Sequence, residues 1–153
     1  MTLSQTSPRL FSGEFCHRID AKNRISIPAS FRQGDADDLF IMPDLKNRFL
    51  RIMPPSEHAA TLEKIETNPE MNLKERGVFL RYFFSQVRDV QTDKQGRLLI
   101  PPDYCTRLNL SGDLMFVGTG KSFELWNRDL WDATKEKEQG EINRLAEIMG
   151  FTA

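Results

Sequence analysis

A chain that carries the same segment twice must fold as two related units, and this one repeats itself at a constant spacing. The run FSGEFCHRIDAKNRISIP from Phe11 returns as FSQVRDVQTDKQGRLLIP from Phe84, 73 positions on. At that offset Phe11 matches Phe84, Ser12 matches Ser85, Asp20 matches Asp93, Arg24 matches Arg97, Ile27 matches Ile100, and Pro28 matches Pro101. The likeness continues more weakly: Leu39 to Met42 and Leu114 to Val117 are apolar stretches after a Gly/Asp-rich turn, and Leu50, Ile52 and Met53 align with Phe123, Leu125 and Trp126. Each half is therefore expected to run strand, tight turn, strand, short helical turn, strand, turn, strand, helix.

Local chemistry supports that order. Arg24-Ile25-Ser26-Ile27 alternates polar and apolar side chains, the period of a half-buried strand, and Pro28 then stops the ladder and opens a helical turn. Arg97-Leu98-Leu99-Ile100-Pro101 repeats this with a more apolar face. Ala21-Lys22-Asn23 and Lys94-Gln95-Gly96 place Asn or Gly just before the Arg, where a hairpin tip takes a positive φ. Pro54-Pro55-Ser56-Glu57 opens a helix carrying Ala59, Leu62 and Ile65, and Asn127 caps another carrying Leu130 and Trp131. Asn68-Pro69-Glu70 is expected to open a joining helix with Val78, Leu80, Tyr82 and Phe83, and a C-terminal helix from about Glu141, after a break at Gly140, sets Ile142, Leu145 and Ile148 on neighbouring turns. The expected organisation is an N-terminal extension 1–10, a first repeat 11–67, a linking helix 68–83, a second repeat 84–133 and a helical tail 134–153. A half of about 70 residues with a thin sheet buries its apolar face poorly, so the halves are expected to pack about a pseudo-twofold axis.

Bulk numbers narrow the function. With 153 residues and 39% hydrophobic content the chain can bury a core without metals or disulfides, and no large multidomain enzyme fits. The soft ligands Cys16, His17, His58 and Cys105 match no zinc spacing, so no metal is expected, and the two cysteines are expected as free thiols. No Gly-rich phosphate loop or nucleophile elbow is present. The start Met-Thr-Leu-Ser-Gln-Thr-Ser-Pro lacks the basic, apolar character of an export signal, so a cytoplasmic protein with no membrane partner is expected. Net charge is −1, so any polyanion site is local; Cys16 to Arg32 carries four Lys/Arg against one Asp, whereas Glu124 to Glu147 carries four against seven acids.

Taken together, FSGEFCHRIDAKNRISIPASFR, DKQGRLLIPPDYCTRLNL and VGTGKSFELWNRDLWDA resemble the two repeats of the MraZ family, each with an Asp-x-x-x-Arg motif, from about Phe11 to Ala133. The first motif has Asn23 where the family commonly has Gly. The resemblance implies an α+β, β-rich fold, a pseudo-twofold double-repeat swapped-hairpin (AbrB-like) β-barrel with flanking helices. It implies a homo-oligomeric ring, nucleoid-associated, that binds tandem short repeats in double-stranded promoter DNA. Repression of a division and cell-wall gene cluster that includes its own promoter is the implied outcome. Carried over by motif position, Asp20, Lys22 and Arg24 and Asp93, Lys94 and Arg97 are the DNA-facing candidates. No cofactor, catalytic residue or small-molecule substrate follows.

Arg suits the role because its planar fork bridges phosphate oxygens or the O6/N7 edge of guanine. The bland reading of each Asp/Arg pair is a hairpin closed by an exposed ion pair worth about 0 to 1 kcal/mol. Arg18 and Arg32 flank the first motif as phosphate-contact or merely solvated cations; Trp126, Trp131, Phe83 and Phe84 are expected in packing rather than base stacking, and His17 on the surface. Two other readings stay open: an AbrB-type growth-phase regulator, against which the fused repeat argues, and a ring-forming adaptor binding other proteins.

Overall fold

The computed structural model describes residues 10–34 and 36–152; the N-terminal extension before Leu10 lies outside them. In chain order it contains β1 (Glu14–Arg18), β2 (Arg24–Ser26), a 3-10 turn (Ala29–Phe31), β3 (Asp38–Pro43), β4 (Phe49–Met53), α1 (Pro55–Thr67) and α2 (Leu73–Gln86). The second half follows with β5 (Arg88–Gln91), β6 (Arg97–Leu99), α3 (Pro102–Leu108), β7 (Asp113–Gly118), β8 (Phe123–Asn127) and α4 (Arg128–Ile148). The fold is α+β. One sheet runs β1-β7-β8-β4-β3-β5, and β2 with β6 makes a separate two-stranded ribbon. The larger sheet ends at β1 and β5, which do not pair with each other, so its ladder stays open where a barrel would close.

Pairing is antiparallel throughout and mostly between halves. Only the hairpins β3–β4 and β7–β8 stay within one half; β1 pairs with β7, β5 with β3, β2 with β6 and β4 with β8. The ladders also give the structural alignment of the repeats. Arg18 faces Asp113 and Gln91 faces Asp38, so if Arg18 corresponds to Gln91 at the offset of 73, Asp38 corresponds to Asp113 at 75. Phe40 faces Met53 and Met115 faces Trp126, which returns β4 and β8 to 73. The two-residue slip has a local cause: the short 3-10 turn Ala29–Phe31 is replaced by the full helix α3, and the β7–β8 turn is shorter than the β3–β4 turn by the same amount.

The main core draws on both halves. Ile25, Ile27, Leu98 and Ile100 from the ribbon region meet Ile41, Leu50, Ile52, Leu114, Phe116, Phe123 and Leu125 from the sheet, all essentially out of contact with water. Neither half can close this core alone, because each supplies strands that only the other can pair. The ribbon lies over the core through Ile25 and Leu98, and His17, half-exposed on β1, ties β1 to β2 through a hydrogen bond between Nδ1 and the Ser26 carbonyl.

The helices follow their caps. Pro54 and Pro55 start α1 as expected. The next helix begins later than the Asn68-Pro69-Glu70 signal suggests: Asn68 Oδ1 accepts from the Glu70 N–H in a turn, and Asn72 with Glu75 forms the reciprocal capping box that opens α2. Asn127 caps α4 through the Leu130 N–H at 3.0 Å. That helix then continues unbroken through Gly140 to Ile148. One helix-interior glycine costs only about 1 kcal/mol, and the flanking Lys, Glu and Gln residues are good helix formers. Trp126 stacks on Phe49 at 4.9 Å and meets Trp131 at 5.0 Å, so both tryptophans pack α4 onto the sheet. No described helix is long and apolar enough to cross a membrane.

Candidate nucleic-acid interface

Both Asp-x-x-x-Arg motifs form tight loops leading into the ribbon, and their geometry is nearly the same. Asp20 N donates to the Arg24 carbonyl at 2.9 Å and Asn23 N to the Asp20 carbonyl at 3.0 Å; Asp93 N to Arg97 O and Gly96 N to Asp93 O repeat this at 2.9 Å each. Inside each loop the carboxylate is the organiser. Asp20 Oδ1 accepts the N–H groups of Lys22 and Arg24, both at 2.9 Å, while its Oδ2 accepts Arg24 Nε at 3.1 Å. Asp93 accepts Gln95 N and Arg97 N at 2.9 Å and Arg97 Nε at 2.8 Å. The backbone N–H of Arg24, helped by Lys22 N–H and the Arg24 side chain, holds the Asp20 carboxyl below the usual aspartate range despite the opposing effect of burial. Asp93 is lowered in the same way, first by the Arg97 N–H. Both carboxylates are therefore ionised at neutral pH.

The residue before each Arg has the left-handed backbone that the turn requires, φ 63° at Asn23 and 76° at Gly96. Asn23 thus substitutes for glycine without altering the loop. Gly96 meets a second constraint, because a Cβ there would collide with the Arg32 guanidinium lying across the loop. Arg32 Nη1 donates to the Gln95 carbonyl at 3.3 Å. This basic residue of the first half therefore braces the second loop.

Ribbon register decides where the guanidinium groups go. Arg24 lies opposite Leu99, Ile25 opposite Leu98 and Ser26 opposite Arg97. Opposed residues share a face and successive residues alternate, so Arg24, Ser26, Arg97 and Leu99 line the outer face while Ile25 and Leu98 are buried. Two residues along and one strand across put the Arg24 and Arg97 Cα atoms roughly 8 Å apart. Each arginine uses Nε on its aspartate, and neither guanidinium's Nη groups have an acceptor among the described residues. Asp fixes the fork, and the fork presents its two outer nitrogens. The lysines are less alike: Lys22 corresponds to Gln95 and Lys94 to Ala21, so both are exposed but at different points of their loops.

A third loop escaped the sequence reading. Asp44-Leu45-Lys46-Asn47-Arg48, at the β3–β4 turn, has the same motif and a left-handed Asn47 at φ 55°. Its local repeat, Asp-x-Lys-Asn-Arg, was the signal available. Here, however, Arg48 grips the carboxylate through both Nε at 2.6 Å and Nη2 at 3.3 Å, and the Asp44 side chain is only 9% exposed. Burial pushes the Asp44 carboxyl up, but the Arg48 hydrogen bond and charge outweigh it and hold the group low. Among the flanking cations, Arg18 pairs with Asp113 at 3.2 Å.

A duplicated β-scaffold that displays two Asp-braced arginines on one short exposed ribbon defines a class of candidate polyanion-binding proteins. The chain belongs to the MraZ family, whose model it matches over residues 10–80 and 83–149. It is similar to the protein named Transcriptional regulator MraZ of Desulforamulus reducens, 33% identical over 138 residues, covering 90% of this chain and 96% of that protein. Proteins of the same name from Clostridium tetani (36% over 123 residues, 80% of this chain and 85% of that protein) and Syntrophobacter fumaroxidans (32% over 145 residues, 93% and 95%) are also similar.

Proposed function

We propose that the chain is a non-enzymatic, sequence-specific DNA-binding transcriptional regulator whose contact surface is the outer face of the β2–β6 ribbon. The observation that carries this reading is the pair of arginines Arg24 and Arg97, each held at Nε by its own aspartate, with no acceptor for the Nη groups among the described residues. A major groove about 12 Å wide admits a two-stranded β-ribbon, and two forks roughly 8 Å apart at their Cα atoms fit within it. Asp20, Lys22, Arg24, Asp93, Lys94 and Arg97 are then the DNA-facing set, with the aspartates positioning the arginines and the lysines meeting phosphates. Between-half pairing supports a swapped-hairpin ancestry for the scaffold, the ribbon closing one side of an AbrB-like barrel.

A single ribbon with so few cations binds weakly, since affinity follows the number of phosphates neutralised. We propose that a ring of subunits supplies the rest, engaging tandem promoter repeats at high effective concentration and repressing a division and cell-wall gene cluster that includes its own gene, at the nucleoid. Self-association is supported by an apolar groove of about 340 Å³ between the β3–β4 hairpin and helices α1 and α2, lined by Met42, Leu45, Met53, Phe79 and Tyr82. Leu45 there is 71% exposed. The test is a mobility shift on DNA upstream of its own gene, comparing one repeat with a tandem array and wild type with Arg24→Ala and Arg97→Ala. Retention of full binding by Arg24→Ala removes the site; equal affinity per repeat in single and tandem DNA removes the ring argument.

A further inference from the structure

The two arginine loops are near copies, but the corners beside them are not. By the strand register Ile19 corresponds to Thr92 and Gly112 to Asp37, and both pairs share one bond: Ile19 N to Gly112 O at 3.0 Å and Thr92 N to Asp37 O at 3.0 Å. In the second half the corner is sealed from within. Thr92 Oγ1 accepts the Asp37 N–H at 2.8 Å, and the Asp37 carboxylate accepts the Gln33 N–H at 3.0 Å. In the first half Ile19 has no hydroxyl to offer, and the Gly112 N–H has no acceptor among the described residues. Ser111 likewise leaves its N–H and hydroxyl unpartnered there. Gly112 has a left-handed backbone, φ 69°, and backbone anion nests are built where such a residue follows a right-handed one.

Ser111 and Gly112 line a groove of about 560 Å³ together with Arg18, Asp20 and Asn23. Asp20 already accepts two backbone N–H groups and Arg24 Nε. Arg18, with a side chain 74% exposed, holds Asp113 at 3.2 Å, and Asp113 has a second cation in Arg128 at 3.6 Å. Arg18 can therefore turn to another anion without leaving Asp113 unpaired. At the second corner Gln91 stands for Arg18 and donates to Asp38 at 3.0 Å, and Pro55 stands for Arg128. Carboxylates Asp37 and Asp38 occupy that corner. On the far side of Ser111 the adjoining pocket holds Asp113, Asp129 and Asp132 beside Arg128.

We propose that Arg18, Ser111 and Gly112 form a phosphate seat for the DNA backbone beside the first arginine loop, so that the first loop carries more of the affinity than the second. The inference rests on the DNA-binding reading above and specifies its geometry. A phosphate diester offers only acceptors, and this corner offers donors for it: the exposed Arg18 guanidinium, which it can share with Asp113, two amides and the Ser111 hydroxyl. The second corner repels the same group.

Fluorescence anisotropy on the full chain, with a labelled duplex from upstream of its own gene and an unrelated duplex, each titrated from 50 to 200 mM salt, tests this. Arg18→Gln, which copies the second half, is expected to weaken both duplexes several-fold and to reduce the log–log salt slope by about 0.9. Ser111→Asp is expected to weaken binding at least tenfold, whereas Gln91→Ala stays within twofold and Asp113→Asn, which releases Arg18, binds more tightly. Arg18→Lys keeps most of the affinity, and unchanged melting temperatures show that the variants are folded. Wild-type affinity and slope in Arg18→Gln and Ser111→Asp, with binding lost in Arg24→Ala, overturn the phosphate seat and leave the DNA reading standing. Absence of binding by the wild type, or retention in Arg24→Ala, overturns both.

Discussion

Replacing Arg24 with lysine keeps the charge and removes the fork, which separates two accounts of the ribbon. In the structure Nε is taken by Asp20 at 3.1 Å while both Nη groups remain for a ligand. Lysine has one ammonium for both tasks. If it turns to Asp20, nothing reaches DNA; if it turns to DNA, an aspartate lowered by two backbone N–H groups stays charged and without its cation beside the phosphates. A lost bidentate base contact is worth about 1 to 3 kcal/mol, so Arg24→Lys is expected to bind the promoter duplex about 5- to 150-fold more weakly. Its preference over an unrelated duplex should shrink by a similar factor. Arg24→Ala goes further, also flattening the log–log salt slope by about 0.9 for each loop in contact with a phosphate. Anisotropy titrations at 50, 100 and 200 mM salt measure both quantities. Promoter binding by Arg24→Lys within twofold of wild type, with sequence preference intact, refutes the argument that Asp20 exists to hold a fork.

Gly96→Ala is expected to destabilise by about 1 to 3 kcal/mol in urea unfolding, since it meets both a positive φ and the overlying Arg32, whereas Asn23→Gly should change stability by less than about 0.5 kcal/mol. Equal effects would show that the two turns are not constrained as described. Leu98→Ala, at a fully buried ribbon position, is expected to cost about 2 to 5 kcal/mol and to lower DNA affinity in parallel by loosening the strand that presents Arg97; a loss under about 1 kcal/mol would contradict that placement. His58 stacks on Phe40 with ring centroids 3.8 Å apart, and burial lowers its pKa against the raising effect of Asp89. A lowered histidine leaves the unfolded chain with more bound protons, so stability should be level above about pH 6.5 and fall as pH drops below it. Melting temperatures from pH 7.5 to 5.0 check this, and the slope should be smaller in His58→Phe.

Periodicity and turn chemistry showed where the strands lie, because Arg24-Ile25-Ser26 announces one buried and two outward positions and Arg97-Leu98-Leu99 follows it by the repeat, although the outward Leu99 is not evident from its own chemistry. The same residues do not say which strand they pair with, since a ladder partner 70 residues away leaves no local trace; the duplication pointed to halves packed together, and the exchange of strands came only with the family resemblance. The slip from 73 to 75 was invisible for a similar reason, as it depends on α3 being a full helix where the first half has a 3-10 turn. Gly140 misled because a glycine's helix penalty is small beside the propensity of its neighbours. In the site, the Asp/Arg braces followed from the motif. The reach of Arg32 across to Gln95 did not, because it crosses between halves. Nor did the bare Gly112 amide, whose significance rests on Ile19 lacking the hydroxyl that Thr92 provides.

The third loop shows what the motif alone is worth. Asp44-Leu45-Lys46-Asn47-Arg48 repeats the first motif at every position but one and adopts the same left-handed asparagine, yet its chemistry turns inward. Two bonds instead of one close the Arg48 fork on Asp44, its guanidinium lies 5.4 Å from the Phe49 ring, and Asn47 Oδ1 is taken by Arg107 Nε at 2.8 Å. What distinguishes the other two loops is the strand that follows: β2 and β6 pair only with each other, leaving one face open, whereas β4 is an interior strand of the larger sheet. Arg48→Ala should therefore leave DNA affinity within twofold of wild type. Stability should fall by about 1 to 2 kcal/mol, because the largely buried Asp44 loses its partner while the exposure of Arg48 moderates the loss. Urea unfolding and anisotropy on the same preparation give both numbers. A variant that stays as stable as wild type but fails to bind DNA would mean that the motif, and not the ribbon, defines the interface.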